Sequence, residues 1–243
     1  MFDPMYLLFV VVPGGLLSMW AQWQVKSQFN KFSKVATQRG VRGHEAAQML
    51  LDRAGIHDVK IVRVNGFLSD HYNPTSKQLA LSPPVYDSNS VAAIGVATHE
   101  AGHAIQHATG YKFLAYRSMI VPAVQFGSPI GNYAMIGGLM LMATGGAMRS
   151  LGTYVFIFGA IAFSMLLLFQ LVTLPVEFNA SARAKELVVE AGIVNQQEVG
   201  GVSKVLNAAA MTYVAAFVQT LLTLLYFVWR SGIFSNRDDS RRS

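Results

Sequence analysis

The segment Thr98–His107 reads THEAGHAIQH and contains side chains of the types that bind a metal. His99 and His103 are four residues apart, so on a helix both imidazoles project from one face about one turn apart. This spacing suits two positions of a tetrahedral zinc site, and Glu100 is placed to act as a general base toward a zinc-activated water. The segment is therefore predicted to supply two zinc ligands and one catalytic carboxylate.

His107 continues the same four-residue spacing, but distance argues against it as a third ligand. Eight residues of helix rise by about 12 Å, whereas zinc–nitrogen bonds are roughly 2 Å long. One ion cannot reach both His99 and His107. We interpret His107 as a histidine at the end of the helix, where the helix dipole favours a positive charge.

The third ligand must come from another part of the chain and must be a carboxylate or a histidine, because the chain contains no cysteine. Glu177 is the best placed candidate, because it directly follows a long apolar block whose two spans would return the chain to the side it left. An alternative role for Glu177 is a dipole-stabilising carboxylate in a helix that begins at Pro175. The full set of candidates is Asp70, His71, Glu177, Glu186 and Glu190.

The composition is that of a membrane protein. Hydrophobic residues make up 52% of the chain and charged residues 13%, whereas soluble domains carry about 25% charged residues. Four segments are long and apolar enough to be predicted as transmembrane helices. Glycines in the second and third indicate closely packed helices. The predicted spans are 5–23, 118–148, 151–174 and 206–229.

The positive charges are concentrated in two of the polar segments. Of the 19 Lys and Arg residues, 14 lie in 24–117 and 175–205, so the positive-inside rule places both segments in the cytoplasm. This juxtamembrane distribution argues against nucleic-acid binding. The C-terminal tail is an exception to the rule, unless the last helix does not cross the membrane. Its basic residues are Arg230, Arg237, Arg241 and Arg242.

The predicted fold is mainly α, an integral membrane protein with about four transmembrane helices and a small zincin-like α+β cytoplasmic portion, all in one domain over residues 1–243. Segment 24–117 is predicted to contain a helix in RGVRGHEAAQMLLDRAGIHDV, which starts at Gly43 or the preceding turn and is ended by Gly55. A strand in VKIVRV, a hairpin and then the zinc-binding helix are predicted to follow. Ser88 or Ser90 would cap that helix, and Gly110 would end it. The second hairpin arm, Gln78–Ser82, is a candidate for binding a peptide as an added strand.

Three longer motifs resemble one protein family. They are SDHYNPTSKQLALSPPVYDSNSVAAIGVATHEAGHAIQHATGY, FQLVTLPVEFNASARA and VLNAAAMTYVAA. Over residues from about Arg63 to Ala216 the chain is similar to the YugP-type neutral zinc metallopeptidases of bacterial membranes, and more distantly to the membrane gluzincins that include CAAX prenyl proteases. The resemblance implies that His99, His103 and Glu177 bind zinc and that Glu100 is the catalytic base.

Further site residues are predicted around this centre. Asn179 stands where the family usually has Asp; its amide oxygen can accept a hydrogen bond from a ligand histidine but lacks the charge that raises ligand basicity. Asp70 is the alternative for that role. Three residues are candidates for donating a hydrogen bond to the oxyanion of a tetrahedral intermediate. The alternative is that they are packed residues of the hairpin or a solvated charge on a helix. These donors are His71, Tyr72 and Arg183.

The functional prediction is a zinc endopeptidase of the bacterial inner membrane, with several spans and an active site that faces the cytoplasm. Its expected cofactor is Zn²⁺, and its expected substrates are membrane-associated polypeptides. The alternative is a non-catalytic zinc-binding scaffold or regulatory protein in the membrane. A metal transporter is disfavoured, because the spans contain almost no ionisable residue. A membrane protein partner or a homo-oligomer is left open.

Overall fold

The structure is a computed structural model that describes residues 3–233, and Arg237, Arg241 and Arg242 lie outside them. Within this range the protein is mainly helical, with one three-stranded sheet. The elements in chain order are α1 (Pro4–Tyr6), a π-helical segment (Leu7–Val11), α2 (Val12–Phe32), α3 (Gly43–Arg53), β1 (Lys60–Arg63), β2 (His71–Asn73), β3 (Gln78–Leu81), α4 (Pro83–Tyr86), α5 (Val91–Ala108), α6 (Lys112–Ala143), α7 (Gly146–Glu190) and α8 (Val199–Ser231).

Three helices of the described part are long and apolar enough to cross a membrane. Helix α6 covers residues 118–143 of the predicted span 118–148 but is not among these three helices. Its apolar run is interrupted by Pro122, Gln125, Pro129 and Asn132, which lower its mean hydropathy. The three candidate spans are Pro4–Phe32, Gly146–Glu190 and Val199–Ser231.

Helix α7 is continuous over 45 residues, so no separate helix begins at Pro175, and the alternative role of Glu177 in the first turn of such a helix is wrong. Proline inside a helix removes one backbone hydrogen bond, but apolar membrane helices tolerate this loss because neighbouring groups satisfy the freed carbonyl. The gap between the predicted spans 118–148 and 151–174, at Arg149 and Ser150, is also misplaced. The chain instead turns at Gly145, whose φ is +78°, and both residues belong to the first turns of α7.

By their internal contacts the residues form two compact units. Unit 1 comprises Met1–Met19, Tyr116–Val172 and Val214–Ser243, and unit 2 comprises Trp20–Ala115 and Thr173–Tyr213. The single-domain prediction remains a prediction.

In unit 1, helices α6 and α7 approach each other at glycines. A Cβ atom on Gly138 would lie 2.6 Å from the backbone N of Phe156, and one on Gly159 would lie 2.5 Å from that of Met135. Small residues permit such close packing of apolar helices. Four glycines of the block 118–174 therefore have the packing role that the sequence predicted, namely Gly131, Gly138, Gly152 and Gly159, whereas Gly137, Gly145 and Gly146 have no atom within 4 Å of a Cβ position.

In unit 2 a cluster of buried aliphatic side chains surrounds α5 and joins it to α3, the end of α7 and the start of α8. Helix α5 is itself almost entirely buried, which its many alanines and glycines permit. Ser90 caps it by accepting a hydrogen bond from the backbone N of Ala93 at 3.2 Å. Gly110, with φ +65°, follows its C-terminus. Both boundaries match the sequence prediction.

The sheet confirms the predicted strands but overturns the proposed role of one of them. Its strand order is β1–β3–β2, with β3 parallel to β1 and antiparallel to β2. The backbone of Gln78–Ala80 is thus paired on both sides and that of Leu81 with β1, so β3 is the central strand and offers no free edge along Gln78–Ala80 for a peptide. The sequence showed the hairpin of β2 and β3, but the pairing of β1 with β3 joins residues that are distant in the chain.

Candidate metal centre

Helix α5 carries His99 and His103 on one face, as the four-residue spacing predicts. Their ring centroids lie 4.7 Å apart with an interplanar angle of 80°. His103 is buried and His99 is partly buried. In this edge-to-face arrangement, one nitrogen of each ring can point at a shared position.

Helix α7 brings Glu177 to these rings because α5 and α7 pack closely near this point. A Cβ atom on Gly102 would lie 2.9 Å from the carbonyl oxygen of Ala180. Glycine at this position, between the two histidines, therefore permits the close approach. Glu177 is 2% exposed, a degree of burial that an ionised carboxylate tolerates only with charged or metal partners.

The distances between the three side chains fit a zinc ion. Glu177 Oε2 lies 3.2 Å from His99 Nε2 and 3.5 Å from His103 Nε2, and ligand atoms of all three lie within 4.8 Å of one another. Tetrahedral zinc with bonds of about 2.0–2.1 Å places neighbouring ligand atoms about 3.3–3.4 Å apart. Two imidazoles and one carboxylate, with no thiolate, are also a donor set that zinc accepts with a fourth position left open.

The second nitrogen of each histidine has a partner that leaves Nε2 available. His99 Nδ1 lies 3.2 Å from Ser181 Oγ, and His103 Nδ1 lies 3.0 Å from Gln106 Oε1. An amide oxygen can only accept, so the His103 proton resides on Nδ1 and its Nε2 carries the lone pair. Such partners fix the orientation and tautomer of a metal-binding histidine.

Gln106 is itself held by two acceptors, which fixes the orientation of its amide. Its Nε2 donates to the carbonyl oxygen of Val176 at 2.8 Å and to Asn179 Oδ1 at 2.9 Å. Arg183 Nε also donates to Asn179 Oδ1, at 2.9 Å. Asn179 therefore reaches the histidine through Gln106, whereas the sequence suggested a direct hydrogen bond.

Opposing effects act on the pKa of His103. Burial lowers the pKa, but its hydrogen bond with Glu177 and the negative charges of Glu100 and Glu177 raise it, and the net pKa lies above the ordinary histidine value. Without a metal, a protonated His103 would therefore offset the buried charge of Glu177. A bound cation would take over that role and displace the proton.

Glu100 is buried beside the histidines and lines a cavity of about 200 Å³ together with His99 and Glu177. Asp70 lines the same cavity and accepts hydrogen bonds from the backbone N and the Oγ of Ser82 at 2.7–3.0 Å. Burial raises the pKa of Asp70, and the bonds from Ser82 only partly counteract this effect. Among the described residues, Asp70 forms its side-chain hydrogen bonds with Ser82, whereas Asn179 is linked to His103 through the amide of Gln106.

The three predicted oxyanion donors are not among the residues that line this cavity. His71 is exposed, and its Nδ1 lies 2.9 Å from the carbonyl oxygen of Ser69. Tyr72 shares a hydrogen bond of 2.9 Å with His107 Nδ1, and Arg183 contacts Asn179. His107 thus has a partner away from the metal cluster, as expected for a residue that is not a ligand.

Sequence reasoning missed two residues of the site, Gln106 and Ser181. Gln106 follows His103 by three residues and Ser181 follows Glu177 by four, so each shares a helix face with a ligand. That spacing was a usable signal. What the sequence could not show is which polar neighbour meets which ring nitrogen, since Ser181 reaches His99 from α7 and the amide of Gln106 is oriented by its contacts with Val176 and Asn179 of α7.

The comparisons with known proteins cover nearly the whole chain. A family model described as "putative neutral zinc metallopeptidase" matches residues 6–232. The chain is 45% identical over 235 residues to "Putative membrane protease YugP" of Bacillus subtilis (strain 168), covering 97% of this chain and 99% of that protein. No solved structure matches it. The chain therefore belongs to the family of neutral zinc metallopeptidases that this model describes.

Proposed function

We propose that the protein is a membrane-embedded zinc metalloendopeptidase. The observation that carries the proposal is the spacing of His99, His103 and Glu177, which fits tetrahedral zinc, beside the carboxylate of Glu100 in one cavity. When bound, zinc supplies a Lewis acid that activates water and polarises a carbonyl oxygen. The two histidines and Glu177 would hold it, and Zn²⁺ is the cofactor we assign.

The residues of the chain perform the remaining tasks. Gln106 and Ser181 hold the ring nitrogens that face away from the ion, so the ligands are oriented before substrate arrives. Glu100 accepts a proton from the attacking water and then delivers it to the leaving amine, as a general base and acid. Its burial beside His99 favours this role, because a purely structural metal site requires no carboxylate there.

We infer that the enzyme is a multi-pass protein of the bacterial inner membrane whose site faces the cytoplasm. The distribution of Lys and Arg supports this orientation, and the three apolar helices support a membrane location. We assign α6 as the fourth span, since its polar interruptions are few and its glycines pack against α7. Substrates would be polypeptides in or near the membrane.

The test is the substitution Glu100→Gln in the purified protein, with zinc content and cleavage of casein measured on the same sample. Zinc should remain near one equivalent while cleavage falls at least about 100-fold, within the range that general acid–base catalysis contributes. Glu186→Gln is the matched control, because Glu186 is an exposed carboxylate on α7 that does not line the cavity. Unchanged cleavage in Glu100→Gln would favour the non-catalytic zinc scaffold.

A further inference from the structure

The cavity beside the candidate metal centre has one polar and one apolar set of walls. The polar set consists of His99, Glu100, Glu177 and their neighbours, and the apolar set comes from α2, α5, α8 and the loop before β2. Val96 precedes Glu100 by four residues on α5, so the apolar lining begins one helical turn from the proposed base. A substrate held at Glu100 would therefore meet apolar surface immediately beside the reacting bond.

Helix α8 contributes four aliphatic side chains to this cavity, followed by Thr212 and Tyr213. Val205, Leu206, Ala209 and Ala210 are spaced so that they face the same side of the helix over two turns. The two alanines leave space that longer side chains would fill. The cavity volume of about 200 Å³ is below the roughly 300–1,000 Å³ of pockets for whole small molecules, and it suits one side chain.

The loop before β2 adds Leu68 to the same wall in an uncommon backbone conformation. Its φ is +54°, a left-handed value that costs a leucine energy and persists where surrounding contacts impose it. Leu68 packs against the buried aliphatic cluster of unit 2. The strained backbone thus places an apolar side chain in the cavity wall.

We propose that this cavity is a specificity subsite that binds an aliphatic or aromatic side chain of the polypeptide substrate, at a residue flanking the cleaved bond. The inference rests on the proposed function and names the substrate class of the same site. Ala210 sets the size of the subsite, because a leucine there would replace a methyl group with an isobutyl group inside the cavity.

A second cavity on the same helix provides a matched control. It has a volume of about 220 Å³ and is lined by residues that include Trp20, Gln24 and Ala208, but by none of the proposed ligands. Ala208 and Ala210 are each 7% exposed and lie two positions apart on α8, so they face different sides. Leucine at either position fills a cavity of similar size, and only one of them adjoins Glu100.

The experiment compares the zinc-loaded wild-type protein, Ala210→Leu and Ala208→Leu on a synthetic peptide library of defined composition, with products identified by mass spectrometry. The wild type and Ala208→Leu should cut mainly at bonds flanked by Leu, Ile, Met or Phe. Ala210→Leu should lose about tenfold or more in kcat/KM on those peptides and retain cleavage at bonds flanked by Ala or Gly. A wild-type profile without apolar preference, or equal losses in both variants, would overturn the subsite.

A binding measurement separates failure of the subsite from failure of the proposed function. Leucine hydroxamate and glycine hydroxamate bind zinc through the same group, so their difference in affinity for the zinc-loaded Glu100→Gln variant reports the side chain alone. Leucine hydroxamate should bind about tenfold tighter, and adding Ala210→Leu should abolish that difference. Equal binding of the two compounds would contradict the subsite, whether or not the wild type cleaves peptides.

Discussion

The two compact units of this chain are stabilised in different ways. In unit 1, α6 and α7 meet through glycines whose Cβ positions would clash with the opposite backbone. In unit 2, α5 and the end of α7 also approach closely, at Gly102 and Ala180, but there the contact carries three proposed zinc ligands and a hydrogen-bonded amide network. Close helix packing is therefore shared, and the buried carboxyl and imidazole side chains of Glu100, His103 and Glu177 distinguish the candidate catalytic unit.

From this comparison we expect the stability of unit 1 to depend on how closely the backbones of α6 and α7 approach each other. Gly138→Ala should destabilise the protein by about 1–3 kcal/mol or more, because the new methyl group would lie 2.6 Å from Phe156 N. Gly137→Ala is the matched control, since no atom lies within 4 Å of its Cβ position. Thermal denaturation in detergent measures both, and equal melting temperatures would show that the α6–α7 contact is not tight.

Unit 2 should instead respond to loss of its polar network. Gln106→Leu removes the acceptor of His103 Nδ1 and the donor to Val176 and Asn179. Zinc affinity should fall about 10–100-fold, the usual effect of deleting a residue that orients a metal ligand. Competition with a chromophoric chelator measures this affinity.

Gln170 provides the control for that substitution, because it is a glutamine of unit 1 whose Oε1 is buried without a hydrogen-bond partner among the described residues. Gln170→Leu should leave zinc affinity unchanged. If both variants lost zinc equally, the role of Gln106 in orienting His103 would be refuted, and a general loss of folding would explain the result.

A smaller effect is expected at Asn179. Asn179→Asp keeps an oxygen acceptor for Gln106 and Arg183 and adds a negative charge. That charge strengthens the hydrogen bond that Gln106 donates and, through the Gln106 amide, the hydrogen bond that His103 donates. Zinc affinity should rise by less than about tenfold. An affinity that is unchanged or lower would show that the charge is not transmitted through the amide of Gln106.

The smallest effect is expected from the titration of Asp70. Burial raises its pKa in the folded protein, so its stabilising contribution is complete below the unfolded-state pKa near 3.8 and is lost as the pH rises through the raised folded value. Asp70→Asn should therefore flatten the fall in melting temperature with increasing pH in the mildly acidic range. Parallel pH profiles for the two proteins would contradict the raised pKa.

Local patterns in the sequence were sufficient for much of this structure. The zinc-binding helix, its Ser90 cap and the hairpin follow from spacing and turn chemistry among residues close in the chain. The exclusion of His107 followed from helix geometry alone, and the structure gives that residue Tyr72 as a partner instead.

The incorrect predictions have a common physical cause. Each depended on contacts between segments that are distant in the chain. Nothing local indicated that β1 would pair with β3, which removed the free edge of Gln78–Leu81. The helix through Pro175 continues because neighbouring groups compensate for the missing N–H, and the sequence around a proline does not reveal those neighbours. The orientation of the Gln106 amide likewise depends on distant residues, because its Nε2 donates to Val176 and Asn179 of α7.

The central claim is that the metal site is assembled from α5 and from a residue more than 70 positions later on α7. Zinc content of purified His99→Ala, Glu177→Ala and His107→Ala proteins, measured after dialysis by elemental analysis, tests it most directly. We predict loss of zinc in His99→Ala and Glu177→Ala and about one equivalent in His107→Ala. Retention in Glu177→Ala together with loss in His107→Ala would contradict the site described here.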